Sequence, residues 1–286
     1  VLKKISNELK MNPNLKKIED LFETRKLWRW LALRGADAKM REAMRPLLIG
    51  IQNSIYLLDE YGESHWQITQ GKLDDIWSGI FDAIGEAGAG ILHRAEVIKC
   101  LMELKEYQDI EVALRHGANP ARVKISQFYY LKSCDLRLCR TIAMVSIPIG
   151  RPNSSETHQW FLHDVCGEIC DDLDDMEEDL ETWNCNRFMA SIGTRGVACT
   201  YNEYRSFLEA CNSRSLSLAA SHFDAAPEIA QLTHQEIARA QTLLDKRIEE
   251  ALVLLDADRI LATNLSPVIQ PVRAKSLLLS QIVYAP

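Results

Sequence analysis

No run of alternating β-branched residues bounded by turns occurs in the chain, so strands are not expected. No apolar run approaches the roughly 20 residues of a membrane span, and mean hydropathy is −0.15. The opening Val1-Leu2-Lys3-Lys4 has no apolar core behind it, so no secretory signal is expected. There is no excess of basic charge. The formal net charge is −7, which argues against a nucleic-acid backbone as partner. No Cys-x-x-Cys occurs among the 8 cysteines, so a structural zinc site is not expected and buried free thiols in a reducing cytoplasm are. No repeat of 20–50 residues points to a solenoid. Glu-x-x-His pairs are also missing, which excludes a carboxylate-bridged di-iron bundle.

What is present is helical periodicity through most of 286 residues, 47% of them hydrophobic. The spacing predicts helices over roughly 15–34, 39–61, 65–87, 91–115, 121–147, 156–183, 201–221 and 234–256. Breaks are expected at Gly35, near Gly62, at His116-Gly117-Ala118-Asn119-Pro120, at Gly150-Arg151-Pro152-Asn153 and near Gly193 to Gly196. Gly85-x-x-Gly88-x-Gly90 follows no strand, so it reads as a helix break and not as a phosphate loop. The expectation is one all-α domain over 1–286, with 257–286, which contains Pro267 and Pro271, as a loop or lid segment.

Inside this pattern lies Asp171-Asp172-Leu173-Asp174-Asp175-Met176-Glu177-Glu178-Asp179. On a helix, Asp164, Glu168, Asp171, Asp172, Asp175, Glu178 and Asp179 fall within roughly 120° of arc. Leu162, Val165, Ile169, Leu173, Met176, Leu180 and Trp183 form the opposing stripe. Like charges one turn apart each destabilise a helix by roughly 0.2–0.5 kcal/mol. Such a face is either fully solvated or neutralised by cations, and Asp-Asp-x-x-Asp favours a divalent metal. Mg²⁺ takes one or two carboxylates and completes its shell with substrate phosphates. A second acidic wall is offered by Asp59, Glu60 and Glu63 at the end of an apolar helix, with Asp74-Asp75 near Asp82 as a weaker competitor. Lys132, Arg137 and Arg140 lie in an otherwise apolar segment, and Arg187 follows the acidic helix as a candidate for bidentate phosphate contact. Asn186 adds an amide for ligation or positioning.

Gly167-Glu168-Ile169-Cys170-Asp171-Asp172-Leu173-Asp174-Asp175 resembles the second aspartate-rich motif of class I isoprenoid synthases, and Asp59-Glu60-Tyr61-Gly62-Glu63 resembles the first. The run through Asp179 to Asn186 is also similar to the tetraprenyl-β-curcumene synthase type of large terpene cyclase. The resemblance implies an all-α bundle around a deep apolar pocket, with two acidic helices holding several Mg²⁺ ions on a prenyl diphosphate. Carried over by position, Asp171, Asp172, Asp175 and Asp59 would be the catalytic carboxylates, with Glu60, Glu63 and Asp179 as further metal ligands. Lys132, Arg137 and Arg187 would bind the diphosphate, and Tyr56, Phe128 and Tyr129 would line the wall or pack the core. The first motif carries Glu where many relatives carry Asp. No arginine pair follows Glu63, where chain-elongating synthases have one.

The expected reaction is therefore that of a terpene synthase acting on a single prenyl diphosphate. The alternatives are a prenyltransferase, chain-elongating or head-to-head, and a non-catalytic helical protein whose acidic face binds Ca²⁺ or a basic partner. A prenyl diphosphate is the expected partner, with at most a second copy of the chain as a homodimer.

Overall fold

The computed structural model describes residues 13–64, 68–88, 90–115, 118–176, 179, 185–221 and 227–261, with the backbone alone at 63–64, 115, 221 and 251–261. The fold is all-α. Among the described residues there are eleven α-helices and no strand: α1 Leu15–Thr24, α2 Leu27–Leu33, α3 Ala38–Ser64, α4 Gln70–Gly85, α5 Ala95–Arg115, α6 Ile125–Lys132, α7 Cys134–Ser146, α8 Ser154–Asp174, α9 Arg187–Arg195, α10 Val197–Ser221 and α11 Pro227–Leu261. Short 3₁₀ turns occupy Ile91–His93 and Pro120–Arg122. The chain groups into two compact units. The first is Val1–Asp109 with Leu131–Asn153, and the second is Ile110–Tyr130 with Ser154–Pro286.

In the first unit, the helix expected over 15–34 is two helices. Buried Ile18 and Phe22 on α1 and buried Leu27, Trp30 and Leu31 on α2 are separated by a five-residue step from 22 to 27. A straight helix would turn Leu27 about 140° away from Phe22. The chain instead breaks at Lys26, whose φ is +57°, and both apolar sets reach the core. The α2 end is a Schellman cap: Ala36 N–H donates to Leu31 O and Gly35 N–H to Ala32 O, with Gly35 at φ +93°. Asp37 caps α3 by accepting from Met40 N–H at 2.7 Å. Pro46 sits inside α3, where it lacks the N–H for an i→i−4 bond. The face of Leu48, Ile51, Ile55 and Leu58 is buried. Gln52 is buried on that face too. It donates to Asp135 Oδ2 at 2.8 Å and accepts from Cys139 Sγ at 3.7 Å.

The helix expected over 121–147 is a 3₁₀ turn followed by α6 and α7, which part at Ser133. The glycine cluster after α4 is the expected break, with Gly88 and Gly90 both at positive φ.

In the second unit, α8 packs against α9, α10 and α11. It is buried on nearly every side, through Trp160, Leu162, Val165, Cys166, Ile169, Cys170 and Leu173 and also through polar residues. Buried Gln159 locks it in place: its Nε2 donates to Ser215 O, its Oε1 accepts from Ser215 Oγ, and its carbonyl accepts from Thr233 Oγ1.

Within the helix expected over 156–183, α8 ends at Asp174, and helical backbone is found again at Met176 and at Asp179, whose N–H donates to Asp175 O at 2.9 Å. Arg247 of α11 donates to Leu173 O and Asp174 O, and Asn186 Nδ2 donates to Asp172 O. All eight cysteines are free thiols, and only Cys199 is exposed. No described helix is long and apolar enough to cross a membrane.

Candidate functional site

The acidic residues of α8 are not a solvated face. Asp164, Glu168 and Asp172, spaced four residues apart, are 0%, 7% and 1% exposed. A buried carboxylate is costly unless it is paired or hydrogen-bonded, so each needs a local partner. Asp164 Oδ1 lies 3.6 Å from His163 Nδ1.

Asp172 carries the clearest network. Its Oδ2 accepts from the Tyr129 hydroxyl at 2.6 Å and from Arg187 N–H at 3.0 Å. The Tyr129 hydroxyl is also 2.7 Å from that of Tyr204. Tyr129 has one proton and gives it to the carboxylate, so Tyr204 is the donor in the second bond. Burial, and then the Asp172 charge, push the Tyr129 hydroxyl well up. Burial likewise pushes up that of Tyr204. Both therefore stay protonated as donors.

The next turn differs. Asp171 is half-buried, while Asp174 and Asp175 are exposed. Asp174 Oδ2 accepts from Arg239 at 2.8 Å, so it serves a surface ion pair between α8 and α11. Asp179 is buried, and its Oδ2 accepts from Asn186 Nδ2 at 2.7 Å. Glu177 and Glu178 lie outside the described residues. Asn186 also caps α9 by accepting from Met189 N–H at 3.0 Å. One amide thus ties the end of α8, Asp179 and the start of α9 together.

Arg187, expected on a diphosphate, is placed otherwise. It is 1% exposed, and its fork is engaged by protein. Nη1 and Nη2 pair with Glu203 at 3.2 and 2.9 Å, and Nε donates to Val123 O at 3.0 Å. Its guanidinium lies 5.6 Å from the Tyr204 ring centroid. Burial opposes its charge, but the Glu203 and Tyr204 contacts outweigh that and hold its pKa above the ordinary arginine value. Glu203 is bridged a second time by Arg195 at 2.8 Å. Burial raises its carboxyl, but the two guanidiniums outweigh this and hold it below its usual range. A guanidinium fixed bidentately on a carboxylate is a fold element and not an open phosphate fork.

The first acidic segment ends α3 in the other unit. Asp59 is half-buried and Glu60 exposed, and the Glu63 side chain lies outside the described residues. Burial, with Asp135 and Asp59 adding to it, pushes the Cys134 thiol well up, so Asp59 lies within electrostatic range of the start of α7. Arg137 is nearby as well. It donates to Glu103 at 2.9 and 3.2 Å and to Ser133 Oγ at 2.8 Å. Lys132, at the end of α6, is half-buried. Arg140 is buried, stacks near Trp30 at 5.9 Å and donates to Arg25 O. Phe128 and Tyr129 are fully buried and pack edge to face. Lys17 Nζ lies over the Tyr56 ring at 4.9 Å.

Sequence reasoning missed Glu203, Tyr204, Arg195 and Arg247. Each is separated from the acidic run by at least one helix boundary, and no local spacing links them to it.

Among the described residues no three His, Cys, Asp or Glu side chains converge to hold a metal ion. Mg²⁺ requires fewer, because one or two hard carboxylate oxygens plus phosphate oxygens and water complete its octahedron. Asp171 and Asp175, one turn apart and outside the fully buried ladder, have the donor chemistry for that. No known protein family, curated protein or solved structure matches the chain.

Proposed function

We propose that the chain is a class I terpene synthase, acting with Mg²⁺ on one prenyl diphosphate. The observation that carries this reading is the burial pattern of α8. Its carboxylates Asp164, Glu168 and Asp172 form a buried ladder inside an all-α unit, and the run opens toward solvent at half-buried Asp171, at Asp174 and, just past the helix end, at Asp175. An acidic helix kept for solubility would expose all of them.

In this reading Asp171 and Asp175 hold the cation, with Asp172 beside them. Bound Mg²⁺ would neutralise the leaving diphosphate. Arg137 and Arg187 are committed to Glu103 and Glu203. The missing arginine pair after Glu63 favours a single substrate over chain elongation.

A second reading is favoured by Asp172 and Asp179, whose bonds to Tyr129, Arg187 and Asn186 are structural in kind. It is a non-catalytic helical protein in which the run holds the fold and meets a cation or basic partner. The two are separated by incubating the purified chain with Mg²⁺ and geranyl, farnesyl, geranylgeranyl or geranylfarnesyl diphosphate. The enzyme reading expects chelator-sensitive release of inorganic diphosphate. No release from any of the four would sink it, and a longer product on adding a second prenyl diphosphate would move the assignment to a prenyltransferase.

A further inference from the structure

We draw no further inference here: the strongest candidate, the buried thiol pair of Cys166 on α8 and Cys211 on α10, carries nothing as a redox site, because the Cys211 thiol beside it and burial keep Cys166 protonated and leave no thiolate for an oxidant to meet.

Discussion

Replacing Glu203 by Gln tests whether the Arg187 fork is a structural pair. The substitution keeps the shape and removes the charge shared by Arg187 and Arg195. Arg187 is 1% exposed, so its guanidinium would be left buried without its anion. Breaking a buried pair from one side costs about 3–5 kcal/mol. The Glu203 side chain is 21% exposed, and water reaching it lowers that to about 2–4 kcal/mol. With a urea slope of about 3 kcal/mol/M, the midpoint drops by about 1 M at neutral pH.

The pH dependence has a definite sign. The folded-state pKa of Glu203 is depressed by the two guanidiniums despite burial. Its contribution is therefore complete above the ordinary glutamate value, about 4.3, and fades as pH falls through the lower folded value. The gap between wild type and Glu203→Gln, followed by circular dichroism in urea, should hold from about pH 7 to about pH 5 and shrink only below about pH 4. A gap under about 0.5 kcal/mol at pH 7, the level of an ordinary surface change, would refute the reasoning. A gap that shrinks between pH 7 and pH 5 would refute the assignment to Glu203.

Three further outcomes are expected. On the proposed terpene synthase reading, Asp171→Asn and Asp175→Asn should lose Mg²⁺-dependent diphosphate release; Asp172→Asn should lower stability by about 1–3 kcal/mol because a buried acceptor is altered, and wild-type stability in it would contradict that role. Gly35→Ala has open space for its methyl group but needs φ +93°, so it should cost about 1–2 kcal/mol from backbone strain alone, and a neutral result by denaturant titration would count against the cap. Thiol titration should find one fast-reacting cysteine in the folded chain, Cys199, and eight after unfolding, because burial pushes the thiols of Cys134 and Cys139 well above their usual range; several fast thiols in the folded state would contradict the packing of α7 and α8.

Local pattern settled the helical class and several of its breaks, but not those at Lys26 and Ser133. Helical periodicity without strand signals predicted an all-α chain. Gly35 and the Gly88–Gly90 turn broke helices where expected, since a positive φ is a property of the residue and its immediate neighbours. Seven of the eight cysteines are buried free thiols, as expected, and Cys199 is exposed. Projection of the acidic run put its carboxylates on one arc, and that too is local geometry.

Whether that arc met water or protein was not in the sequence. Projection gives the angle of a side chain about its own axis, and only the packing of α9, α10 and α11 around α8 buried Asp164, Glu168 and Asp172 while exposing Asp175. The same packing gave Arg187 to Glu203, gave the last carbonyls of α8 to Arg247, and brought Tyr129 to Asp172 across 43 positions and Tyr204 to Tyr129 across 75. Hydrogen bonds and ion pairs act over a few ångströms of space whatever the separation along the chain. The sequence by itself therefore determined which groups could do chemistry, and the tertiary structure decided which of them were already engaged.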